Sequence, residues 1–132
     1  MKIVYAFLIS IFIYSCTNSD DNNATIEKWN LVNVSGGFAG IDVDIEKGKI
    51  IWTLNEHDSI LDIENNYEGN FVISLSTGRY SYFIEEINNT SYITIDNDEY
   101  GGIDISVNHL VIDENKSSTG TGADRFVFQF EK

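Results

Sequence analysis

Positive charge is scarce in this chain. Its 132 residues include 8 lysines and arginines against 21 aspartates and glutamates, a formal net charge of −13. Binding to nucleic acid needs clustered lysine or arginine, so the composition argues against it. Adsorption to anionic lipid is disfavoured for the same reason. Such charge serves solubility first. Cysteine occurs once, at Cys16, so no internal disulfide can form and the fold must stand on its core. Proline is absent. No stretch of helical length repeats with a 3.6-residue period, which argues against a helical domain. There is no Gly-x-Ser-x-Gly elbow. His57 and His109 are the only histidines, and both fall in predicted turns. General acid–base use needs a positioned partner in a cleft, so no enzyme and no cofactor are expected.

What is present is globular. Hydrophobic residues make up 42% and aromatics 13%, enough for a core, and the length suits one domain. Period-two alternation of isoleucine, valine, threonine and aromatic residues recurs along the chain. In "EKWNLVNVS", Trp29 and Leu31 share one face, with Asn33 in phase, and Val32 and Val34 lie on the other. "KIIWTLN" and "HDSILDIEN" flank the polar turn Asn55-Glu56-His57-Asp58 and predict a hairpin. "GRYSYFIEEI" aligns Tyr80, Tyr82 and Ile84, and Asn88-Asn89 turns it into "TSYITIDN". "GGIDISV" and "HLVIDEN" pair around Asn108, and "DRFVFQFEK" stacks Phe126, Phe128 and Phe130 on one face. Longer connections run from Gly36 to Lys49 and from Glu114 to Asp124. Phe71 to Ser76 reads as an extra strand or a covering loop.

Eight consecutive strands joined mostly by short turns predict an all-β, antiparallel up-and-down barrel, which leaves no open sheet edge. A β-sandwich is the alternative. Seven large rings fall on candidate inner faces: Trp29, Trp52, Tyr80, Tyr82, Phe126, Phe128 and Phe130. An eight-stranded barrel is filled by its side chains or holds one small ligand, and both outcomes stay open.

The N-terminal run "MKIVYAFLISIFIYSC" has Lys2 as a positive n-region and an apolar stretch from Ile3 to Ile13 broken only by Ser10. That length fits an h-region and falls short of the ~20 residues of a spanning helix. The end of the run resembles the lipobox of bacterial lipoproteins. Ile13 and Ser15 match its aliphatic and small positions, with Tyr14 between them. The resemblance implies that residues 1–15 are a signal peptide, that Cys16 is alkylated by diacylglycerol and acylated, and that residues 16–24 form a tether. Two or three chains anchor stably where one is marginal. "TNSDDNN" resembles the Ser-Asp-Asp export signal of surface lipoproteins in Bacteroidetes-type bacteria, carried here by Ser19, Asp20 and Asp21. It implies an outer-membrane, lipid-anchored location, with the membrane itself as partner.

The folded part, 25–132, opens with "KWNLVNVSGG", which resembles the first strand of lipocalin-like domains. Trp29 matches the tryptophan that closes one barrel end. Leu31 and Val32 match the apolar residues after it, and Glu27 stands where the family has a glycine. The resemblance implies a barrel that binds a small hydrophobic or amphiphilic ligand, lined by Trp52, Tyr80, Tyr82 and Phe128 and closed by Trp29; a monomer is expected. The alternative is a non-catalytic interaction or inhibitor module acting through its long loops.

Metal binding is not expected. "DNDEYGGID" places Asp96, Asp98 and Gly101 at the first, third and sixth positions of a calcium loop. Tyr100 and Val107 occupy the fifth and twelfth, so the bidentate ligand is missing. A tight turn at Gly101-Gly102 is expected instead. Asp42, Asp44 and Glu46 at period two read as a wet face that discourages edge pairing.

Overall fold

A computed structural model describes residues 25–69 and 75–132. The expected signal peptide (1–15), Cys16, Ser19, Asp20, Asp21 and the expected tether up to residue 24 lie outside them, as does Phe71.

The described chain contains only strands and turns as regular structure. They are β1 (Ile26–Gly36), β2 (Ile41–Asp44), β3 (Ile50–Asn55), β4 (Ile60–Asn65), β5 (Gly78–Ile87) and β6 (Thr90–Ile95). Then come β7 (Asp98–Ile105), β8 (His109–Asp113), β9 (Lys116–Ser117), β10 (Gly120–Thr121) and β11 (Phe126–Glu131). His109 is thus the first residue of a strand, not part of a turn. Antiparallel pairing runs β1-β3-β4-β5-β6-β7-β8-β11, and β11 returns to β1. The result is a closed eight-stranded up-and-down barrel of the lipocalin-like kind, and the sandwich alternative falls away. β2 lies beside the second half of β1, with Gly36 opposite Ile41. β9 and β10 form a separate two-stranded flap between β8 and β11.

The core follows the alternation. Ile50, Trp52 and Leu54 of β3 are buried, as are Leu61 and Ile63 of β4 and Phe128 and Phe130 of β11. Burial of each large side chain contributes about 1.5–3 kcal/mol. Two bulges break the period. β1 is in register with β11 at Leu31 opposite Phe130 and then at Asn33 opposite Gln129, so Val32 is the extra residue. The buried set therefore moves from Trp29 and Leu31 to Val34. Plain alternation had put Val34 on the opposite face from Trp29, and the bulge brings it round. Asn33 is thereby turned outward, where its amide donates to Asp42 Oδ1 at 2.8 Å and Asp44 Oδ1 at 3.0 Å. The Val32 carbonyl accepts the Ile45 N–H at 2.8 Å, which seats Ile45 in the core.

The second bulge lies in β7, where Ile93 faces Gly101 and Thr94 faces Glu99, leaving Tyr100 as the extra residue. A Cβ on Gly101 would stand 2.6 Å from the Asp113 carbonyl oxygen, so only glycine lets β7 approach β8 this closely. The tight turn in this stretch falls on Asp96-Asn97, with φ of 48° and 72°, and not on Gly101-Gly102, which lie within β7. Asn88-Asn89, with φ of 51° and 63°, makes the same left-handed kind of turn between β5 and β6.

Up-and-down order gives the barrel two unlike ends. Thr25, the turns at 56–59, 88–89 and 106–108, and Lys132 gather at one end. Whereas β2 and residues 45–49 run back along β1 until Lys47 pairs with Glu131 at 2.7 Å, the turn 37–40 and the connection 114–125 lie at the other end, with the 96–97 turn and residues 66–69 and 75–77. We call these the terminal end and the loop end.

Candidate functional site

Trp29 lies on β1 towards the terminal end. It lies opposite Trp52 in the β1–β3 register and is fully buried. Lys132 Nζ stands 4.6 Å from the Trp29 ring centroid and donates to Glu27 Oε1 at 2.8 Å. Glu27 therefore orients the ammonium that covers the tryptophan face. Trp29 Nε1 is buried with no hydrogen-bond partner among the described residues.

Inside, rings touch in series. Trp52 meets Phe130 at a centroid distance of 5.0 Å and Tyr100 at 6.0 Å. Tyr100 meets Phe128 at 5.8 Å, and Phe128 meets Phe126 at 6.3 Å. These tilted contacts are near the favoured aromatic geometry. Of the five residues expected to line a ligand site, Trp29, Trp52, Tyr82 and Phe128 are buried in this core. Tyr80 is half-buried, and its hydroxyl donates to the Ser76 carbonyl at 2.9 Å, so its polar tip reaches the loop end. Burial, and then the charges of Glu56 and Glu27, push the Tyr82 phenol up to about 12.

The four clefts described all open to the surface, and none is lined by Trp29, Trp52 or Phe128. The largest, about 470 Å³, is at the loop end under the β9–β10 flap. Tyr100, Glu99, Glu114, Lys116 and Arg125 are among its lining residues. Ser118 donates to Glu99 through its backbone N–H (2.9 Å) and its hydroxyl, tying the flap to the β7 bulge. These bonds hold the Glu99 carboxyl below its usual range. Glu114 accepts the Phe126 N–H at 3.2 Å and a bond from Tyr100, yet burial outweighs both and raises its pKa. Asn115 fixes the base of the connection, accepting the Arg125 N–H at 3.0 Å.

Tyr100, Glu99, Glu114 and Arg125 were not among the expected site residues. Tyr100 sits out of phase for an inner-face residue until the bulge is known. The only signal for the cleft was the Gly- and Ser/Thr-rich composition of "NKSSTGTGA". His57 stays in its turn, 3.9 Å from Asp58 and exposed. Asp96 Oδ1 accepts from the Ser81 N–H at 2.8 Å and hydroxyl at 3.0 Å, so it braces the β5–β7 corner. Among the described residues no three His, Cys, Asp or Glu side chains converge as a metal site would require.

No family model, curated protein or solved structure matches this chain.

Proposed function

We propose that this protein is a non-enzymatic, lipid-anchored binding protein of the cell envelope that meets its partner with the loop end of the barrel. The opposition of the two ends supports this most directly. The described chain starts at the terminal end, near Lys132, whereas the 37–40 turn and the 114–125 connection with its flap lie at the far end of β1. An anchor at Cys16 would then face the terminal end to the membrane and the loops outward. The loop end also presents Phe38, 94% exposed in the 37–40 turn, and aromatic residues of this kind are favoured at recognition surfaces.

The orientation is tested with two single thiols in cells. Phe38→Cys and Val107→Cys place one at each end, both at well-exposed positions. A membrane-impermeant maleimide should label the Phe38→Cys variant of intact cells faster, and both equally after solubilisation. Equal labelling in intact cells overturns the orientation. Cys16→Ala should move the protein from the membrane to the soluble fraction, and its retention in the membrane overturns the anchor.

A second reading is a small amphiphile inside the barrel, in contact with Trp29, Trp52, Tyr80, Tyr82 and Phe128. The unpartnered Trp29 Nε1 favours it, because a buried donor gains from an acceptor brought by a ligand. Native mass spectrometry of the non-lipidated protein should then reveal a co-purifying molecule. Its absence, with tryptophan fluorescence indifferent to fatty acids and hydrophobic dyes, removes this reading.

A further inference from the structure

We propose that the cleft beneath the β9–β10 flap binds a small neutral saccharide. The cleft is the largest of those described, at about 470 Å³, which is ample for one or two sugar rings. Its charged lining balances: Glu99 and Glu114 stand against Lys116 and Arg125. In a chain of net charge −13 this is a locally neutral site. A free anion meets the long-range repulsion of the whole molecule there, and a free cation finds stronger attraction elsewhere.

The hydrogen-bonding inventory narrows the class. Carboxylates only accept and guanidinium and ammonium only donate, whereas hydroxyls do both. Ser117, Thr119 and Thr121 add three groups of the ambivalent kind. A cleft with acceptor-only, donor-only and ambivalent groups side by side matches a ligand whose own groups are all hydroxyls. Tyr100 supplies the remaining feature. Tyr100 lines the cleft and its ring is held by Trp52 and Phe128, so this part of the lining is fixed before a ligand arrives.

Arg125 is the group most available for a ligand. The other arginine, Arg79, makes a two-pronged pair with Asp62 at 2.8 and 3.1 Å. Arg125 feels the charge of Glu114, but its guanidinium makes no hydrogen bond or close ion pair among the described residues. The Glu99–Ser118 bonds keep the flap in place above the cleft, so the site is built before a ligand arrives.

This inference goes beyond the envelope reading, because it does not depend on where the protein resides. It is tested with the purified protein by NMR, titrating neutral monosaccharides and disaccharides to millimolar concentrations. Amide shifts are expected at residues 99–101 and 114–122. Arg125→Ala should weaken the affinity about tenfold, equivalent to about 1.4 kcal/mol, with an unchanged melting temperature. Thr119→Val, a second variant at an exposed position of the lining, should weaken it as well. Three results overturn the proposal: no shifts with any neutral sugar, shifts confined to other residues, or an affinity indifferent to both variants. Preference for a zwitterionic amino acid or an inorganic anion over every sugar overturns it too.

Discussion

Two titratable side chains give the barrel opposite ends of its pH dependence. Tyr82 is buried and its phenol is pushed up to about 12 from 10.0. The neutral form is thus favoured by folding, so stability is intact below pH 10 and declines as pH rises through that interval. Tyr82→Phe should remove this loss and raise the midpoint of alkaline unfolding, read by circular dichroism. Glu114 also titrates upward, because burial outweighs the bonds from Phe126 and Tyr100. Its cost is absent when it is protonated and appears as pH rises from its ordinary value through the raised one. The melting temperature of Glu114→Gln, compared with the parent, should therefore gain with rising pH across the carboxylate range and level off above it. Phe128 belongs to neither class. It is buried between the rings of Tyr100 and Phe126, and Phe128→Ala should cost about 3–5 kcal/mol in a urea titration.

Strand β1 shows how close sequence and element come to one another. At its end Gly36 has φ of +104°, and a Cβ would lie 2.4 Å from the Arg125 carbonyl oxygen. Gly40, four residues on, has φ of +61° and open space around it. Gly40→Ala should cost about 1–2 kcal/mol for the left-handed backbone alone. Gly36→Ala should cost more than about 2 kcal/mol, because the β1–β11 backbones must also separate. Chemical denaturation of the two variants ranks them, and a smaller cost at Gly36 contradicts the close approach. The eight barrel strands were legible in the sequence because short β-rich runs are separated by turn residues, and strands such as β3 and β11 alternate one dry face with one wetter face. The bulges at Val32 and Tyr100 were not, since an extra residue leaves no mark in composition and only shifts the phase of the residues after it. β2 was read only as a wet face within the 36–49 connection, although it pairs with β1, and the β9–β10 flap escaped notice because its polar residues read as loop. The candidate cleft was hidden for a related reason: residues 99, 114 and 125 meet only after the barrel closes.

For the molecule as a whole, charge is the dominant surface term. Five close charge pairs are present among the described residues, one of them a histidine pair, and all include exposed partners. Exposed pairs of this kind are screened by solvent and add little, against the self-repulsion of a net −13. Raising ionic strength from about 0.01 to 0.15 M shortens the screening length from about 30 to 8 Å. The melting temperature should therefore rise with salt, and a fall would show that the pairs outweigh the repulsion.

The seam between β1 and β11 sets a further property of the whole. Asn30 donates to the Glu131 carbonyl across 101 positions of chain, and Leu31 faces Phe130 in the same register. Closure is therefore among the most non-local events in folding, and such contacts form slowly. Until residues 126–131 are in place, β1 and β8 each present an open edge to any neighbouring strand. Time thus enters the fold as a hazard. A chain caught short of β11 is not a smaller barrel but a curled sheet with two adhesive margins, and only the last described strand takes both away at once.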